Sequence, residues 1–97
     1  MEYSTGVQRN LGSRLKKLYL FGSRARGDAW EGSDYDFALV VDKRDSELDN
    51  TILDISVMLL DQYEVLISTQ VFTEYEWKLE HKFPLGINIL NEGISFL

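Results

Sequence analysis

The strongest constraint on the fold is a pair of apolar runs, residues 17–22 (KLYLFG) and 35–41 (YDFALVV), separated by a polar stretch without periodicity. The first run is closed by a glycine, the mark of a buried strand that stops abruptly at a turn and gives way to a helix start. Residues 27–34 (GDAWEGSD) carry two glycines and three acids and read as a loop, after which residues 35–41 form the next strand, neighbouring the first. From Ser46 the period becomes helical. Leu48, Ile52, Ile55 and Leu59 share a face, widened by Leu53, Val57 and Leu60, and Ser46 with Asp49 resembles a capping pair. Residues 64–72 (EVLISTQVF) are rich in β-branched side chains and predict a third strand.

The ends of the chain read as helices. Val7, Leu11, Leu15 and Leu18, spaced four, four and three apart among basic residues, predict an amphipathic helix over 7–18 that Gly12 weakens. Thr73 is placed to cap a polar helix running through Lys82 and closed by Pro84. Leu85, Ile87, Ile89 and Leu90 predict a last helical turn or two ending at Gly93. The expectation is one α/β domain over residues 1–97, a small mixed sheet flanked by helices.

Composition narrows the function classes. The 97 residues are 44% hydrophobic and 27% charged, a balance suited to a folded domain too small to hold separate substrate and cofactor domains. Ten Lys plus Arg against sixteen Asp plus Glu give a net charge of -6, so a broad phosphate-backbone footprint, and with it direct nucleic-acid binding, is not expected. The absence of Cys removes thiol nucleophiles and thiolate metal sites and fits a reducing compartment, so the cytoplasm is the expected location. No apolar run is long enough to span a bilayer, and the polar start MEYSTGVQRN has no signal-like core.

The chemistry concentrates in residues 22–41, GSRARGDAWEGSDYDFALVV. Gly22 allows a tight turn and close ligand approach, and Ser23 offers a hydroxyl and an amide at a helix start, a corner that suits phosphate. Asp34 and Asp36, two apart, leave one face of the strand, while Tyr35 and Phe37 point to the opposite, core-facing side. Two carboxylates that also meet triphosphate oxygens suit Mg²⁺, which retains waters and favours shared ligation. An Asp-x-Asp pair by itself is more commonly a solvated turn or strand cap. The combination with Gly22-Ser23, in strand, turn, loop and strand order, is what points to a site.

This arrangement of Gly-Ser, ten residues and Asp-x-Asp, here GSRARG followed by SDYD, resembles the minimal nucleotidyltransferases of the DNA polymerase β-like superfamily, and the resemblance extends over essentially the whole chain. It implies a polymerase β-like nucleotidyltransferase fold that binds a nucleoside triphosphate, usually ATP, with Mg²⁺ and transfers a nucleoside monophosphate to a hydroxyl. Carried over, Gly22 and Ser23 would hold phosphates, Arg24 and Arg26 would add positive charge, and Asp34 and Asp36 would ligate metal and carry catalysis. Small stand-alone members resemble the antitoxin halves of pairs whose companion is a helical HEPN-domain toxin, so a protein partner is implied; self-association is left open. The family's third carboxylate, on the next strand, falls near Ser68, with Gln70 on the same face and no acid there. A missing anionic ligand would weaken metal–nucleotide binding and hurt hydroxyl activation more. The alternative is therefore a nucleotidyltransferase-fold antitoxin that acts by contact alone.

Other residues receive plainer readings. His81, beside Glu80 and Lys82, reads as a solvated surface residue. Trp30 is open to packing under its loop, stacking on an adenine or meeting a partner. Phe72, Tyr75 and Trp77 read as core or rim aromatics, and Arg14, Lys16 and Lys17 as the wet face of a helix.

Overall fold

The structure, a computed structural model, describes residues 2–30 and 32–97; Glu31, inside the predicted loop, and Met1 lie outside the described residues. Its elements are α1 (Glu2–Leu11), β1 (Leu15–Phe21), α2 (Ser23–Arg26), β2 (Tyr35–Val41), α3 (Ser46–Tyr63), β3 (Ile67–Thr73), α4 (Glu74–Glu80), α5 (Pro84–Glu92) and β4 (Ile94–Ser95), with a 3₁₀ turn over Gly12–Arg14. The sheet has four strands in the order β3-β2-β1-β4. β1 pairs antiparallel with both β2 and β4. β2 and β3 are parallel, as the 18-residue helix α3 between them requires. The mixed sheet flanked by helices is as expected.

Helices cover both faces. On one, Tyr3, Val7 and Leu11 of α1 and Leu48, Ile52, Ile55 and Leu59 of α3 pack on Leu18, Leu20, Phe37, Leu39 and Val41. On the other, Ala38 and Val40 meet Trp77 of α4 and Ile89 of α5, with Phe72 and Leu85 alongside. β2 is thus buried on both sides, which is why YDFALVV runs apolar without interruption.

The predicted helix over 7–18 is corrected. α1 starts at Glu2 and ends at Leu11, because Gly12 adopts φ +54° and turns the chain. Leu15 and Leu18 belong to β1, and a register irregularity between Leu15 and Lys17 inserts one residue into the strand, so that both enter the same core. That bulge reproduces the i, i+3 spacing of a helix. Tyr3 is fully buried, and its hydroxyl lies 2.7 Å from Thr69 Oγ1.

The N-cap of α3 is Asp45 rather than Ser46: its carboxylate accepts from the Leu48 amide at 2.8 Å. Arg14 bonds Asp42, Asp45 and the Lys43 carbonyl at 3.0–3.1 Å, so it clamps the β2–α3 turn to β1 instead of lying on a wet helix face. The third strand begins at Ile67, since α3 extends to Tyr63 and Glu64 caps it in the left-handed region at φ 55°. Thr73 caps α4 as expected, in a capping box closed by Glu76. That helix ends at Glu80, and Pro84 opens α5 instead of only closing α4. Leu53, Val57 and Leu60 do not widen the core face of α3; they are 59, 55 and 44% exposed.

Candidate active site at the Gly22 turn

β1 ends at Phe21, whose cross-strand partner is Asp36. Gly22 follows with φ 75° and ψ −158°, a conformation that favours glycine, and its carbonyl accepts from the amides of Ala25 and Arg26, both at 3.1 Å. The turn leads into α2, where Ser23 is the first residue and Gly27, at φ 83°, the left-handed cap. A Cβ on Gly22 would lie 2.5 Å from Asp36 Oδ2. The Asp36 carboxylate therefore sits directly against the turn, in the space a side chain would need.

Asp36 is half-buried and lies on the strand side that continues into Ala38 and Val40, under α4 and α5. Burial raises its carboxyl above the ordinary carboxylate range, the negative charge of Asp34 adds to the rise, and the Arg26 guanidinium partly offsets it. Asp34 is exposed and just precedes β2. Tyr35 and Phe37 face the α1/α3 core, as the alternation predicts.

The two arginines are engaged within the chain. Arg24 donates from Nε and Nη2 to the Ser33 carbonyl at 3.2 and 2.9 Å, and its guanidinium lies 4.4 Å from the centre of the Tyr35 ring. It fastens the loop residue before Asp34 to the strand residue after it. Arg26 pairs with Asp28 at 3.2 Å and with Glu92 of α5 at 3.3 Å. Glu92 was invisible to sequence reasoning, because only folding brings α5 beside α2.

Ser68 is the parallel-ladder partner of Asp36, and Gln70 partners Ala38. The place beside the aspartate on the next strand is therefore held by a hydroxyl. Among the described residues, no group of three or more Asp, Glu or His side chains is placed to hold a metal ion. Trp30 does not pack under the loop: it is 72% exposed, with its ring edge near Gly32. His81 is exposed, with its ring edge-on to Trp77 at 5.0 Å. Of the predicted core or rim aromatics, Trp77 is buried, Phe72 half-buried and Tyr75 71% exposed. None of the described helices is long and apolar enough to cross a membrane.

The comparisons agree with this geometry. Residues 8–95 match the family described as "Polymerase beta, Nucleotidyltransferase". A relative from Methanocaldococcus jannaschii, named "Putative protein adenylyltransferase MJ0604", is 34% identical over 95% of this chain and 88% of its own length. Among solved structures, a toxin–antitoxin complex with AMP-PNP matches with a TM-score of 0.61 and 17% identity, over 98% of this chain and 70% of that one. A complex of a tri-AMPylated Shewanella oneidensis HEPN toxin with its MNT antitoxin matches with a TM-score of 0.53 and 15% identity, over 97% and 66%. These two likenesses are of fold. The strand–turn–strand corner at Gly22 and Asp36, the family match over nearly the whole chain and the relative at 34% identity agree: the chain belongs to the polymerase β nucleotidyltransferase family.

Proposed function

We propose that the chain binds a magnesium-complexed nucleoside triphosphate, ATP foremost, at the Gly22 turn, and transfers its nucleoside monophosphate to a hydroxyl of a partner protein of the HEPN-domain toxin class. The observation that carries this reading is Asp36, a carboxylate whose charge is opposed by burial and by Asp34, and which lies against a glycine turn with no side chain in the way. A hard divalent cation is what relieves such a pair. The donors fit: Asp34, Asp36 and the adjacent Ser68 hydroxyl are all oxygen, and two carboxylates leave coordination positions to phosphate and water. Asp34 and Asp36 would hold the magnesium, which would supply charge neutralisation for the triphosphate.

The chain's own residues then have distinct tasks. Gly22 and Ser23 present backbone and hydroxyl to the phosphates, and Asp34 and Asp36 fix the metal-bearing end. Arg24 holds the Asp34 loop in place through Ser33 and Tyr35, with its charge close to the site. Arg26 supplies positive charge to phosphate by exchanging Asp28 and Glu92 for it. In the transfer, the acceptor oxygen forms a bond to the α-phosphorus, the bond to the bridging oxygen breaks, and pyrophosphate leaves with the electron pair. The hydroxyl proton leaves to solvent water, because Ser68, beside Asp36, offers no base to take it. The relative named for protein adenylylation and the toxin–antitoxin complexes support a protein acceptor. The cytoplasm is the proposed location, in keeping with a chain that has no Cys.

Ser68 favours a second reading, in which the fold neutralises its partner by contact without transferring AMP. The two separate in one experiment. The protein is incubated with α-labelled ATP and Mg²⁺, with and without a HEPN-domain protein encoded beside it, and both chains are weighed intact. A gain of one AMP on the partner, lost when Asp34 and Asp36 are replaced by Ala, supports transfer. A tight complex without mass gain, and neutralisation that survives both replacements, overturns it in favour of contact.

A further inference from the structure

Lysines and arginines are used differently in this fold. The ion pairs among the described residues are made by Arg14, Arg26 and Arg44, and Arg24 is engaged by the Ser33 carbonyl. Three of the five lysines instead gather at one cavity of about 210 Å³, lined by Lys16 and Lys17 of β1 and by Lys78 and His81 of α4 and its C-cap. None of these lysines has an ion-pair partner among the described residues, although the chain holds sixteen acids. Lys16 donates to the Ser13 carbonyl at 2.9 Å and is felt by Asp42, which already pairs with Arg14.

The backbone builds this arrangement. Consecutive side chains of a regular strand leave opposite faces, but the irregularity between Leu15 and Lys17 breaks the alternation, and both lysines line the same cavity. Lys17 is the cross-strand partner of Val40, on the sheet face that α4 and α5 cover. Glu74, Trp77, Lys78 and His81 fall at i, i+3, i+4 and i+7, along one side of α4. Buried Trp77 forms a wall, and the His81 ring stands edge-on to it at 5.0 Å. Among the described residues Glu74 is the only acid lining the cavity, which leaves two positive charges in excess with His81 neutral. Gathered like charges repel, and an anion between them relieves the repulsion.

We propose that this cavity binds a phosphate dianion, either the free ion or the monoester of a small organic molecule. A phosphate group presents three strong acceptor oxygens and a charge of about −1.5 to −2 at neutral pH, which matches three ammonium donors and the two excess charges. A carboxylate carries less charge, and its planar pair of oxygens suits an arginine fork; no arginine among the described residues lines the cavity. Lys16 keeps donors for the ligand beside its bond to Ser13. The site is separate from the Gly22 turn: Lys17 and Val40 lie four residues along the β1–β2 ladder from Phe21 and Asp36, about 13 Å at the rise of a strand. The inference therefore does not depend on the nucleotide reading.

The test is an amide-resolved NMR titration of the full chain with inorganic phosphate and with phenyl phosphate, at constant ionic strength and without Mg²⁺ or nucleotide. The expected result is saturable shifts centred on residues 15–17, 40 and 74–81. Tighter binding of phenyl phosphate identifies a monoester as the ligand, and equal or tighter binding of inorganic phosphate identifies the free ion; either upholds the site. Lys17→Gln and Lys78→Gln should each weaken binding on the order of tenfold. Glu74→Gln should tighten it roughly threefold, and Arg9→Gln, on α1 across the sheet, should leave it unchanged. All four positions are exposed, so the variants should melt as cooperatively as the wild type. Absence of saturable shifts at these residues, shifts confined to residues 22–26, equal saturation by acetate, or an equal loss in Arg9→Gln overturns the proposal.

Discussion

Asp36 and Ser68 stand side by side as partners in the parallel ladder between β2 and β3, whereas β1 pairs antiparallel with both β2 and β4. A side chain at Ser68 therefore shares the strand face that carries Asp36. Ser68→Asp should bring a third carboxylate beside the Asp34–Asp36 pair and raise AMP transfer to the partner on the order of 10²-fold, the usual scale of a positioned proton acceptor. Labelled-AMP incorporation measured side by side for the two proteins decides it; an unchanged rate would mean that Ser68 does not limit the reaction.

Gly22→Ala tests the close approach. The new Cβ would press on Asp36 Oδ2 and would hold a non-glycine residue at φ 75°. The backbone conformation alone should cost about 1–2 kcal/mol, read as a lower denaturation midpoint. If the chain binds Mg-ATP as proposed, the displaced carboxylate should also remove most of the thermal stabilisation that Mg-ATP is expected to give the wild type.

Asp36→Asn tests the charge. Because burial and Asp34 raise the Asp36 carboxyl above its unfolded value, the folded chain holds that proton more tightly. The stability it contributes is fully present below the unfolded value and is lost as pH rises through the folded one. In cation-free buffer, Asp36→Asn should therefore be more stable than wild type at neutral pH, and the difference should vanish in acid. Mg²⁺ should stabilise wild type and leave the variant unmoved; melts across pH with and without Mg²⁺ read both effects.

Glu64→Gly should stabilise the fold. Glu64 ends α3 at φ 55°, with its amide bonded to the Leu60 carbonyl at 2.9 Å, a capping geometry that glycine adopts without penalty. The gain should be about 1 kcal/mol, seen as a higher midpoint with an unchanged denaturant slope. A loss of stability would mean that the Glu64 side chain makes a compensating contact.

The sequence by itself determined the elements whose signals are local. Glycine after an apolar run, a continuous apolar strand, a long helical period and a threonine with glutamate three residues on each report their own neighbourhood, and β1, β2, α3 and the α4 cap follow from them. The Gly22-Ser23 to Asp34-Tyr35-Asp36 spacing belongs to the same class, because the strand, turn and strand that hold it are consecutive. Local spacing misled where two geometries share it: the bulge in β1 copies the rhythm of a helix, so Leu15 and Leu18 read as α1. Tertiary structure alone decided what distant segments do to one another. It set Ser68 against Asp36, brought Glu92 to Arg26 and turned Arg14 onto Asp42 and Asp45. It also chose which leucines of α3 enter the core. The helical period allows a wide apolar face, but the sheet covers only a narrow strip of it, so Leu48, Ile52, Ile55 and Leu59 are buried while Leu53, Val57 and Leu60 remain at the surface.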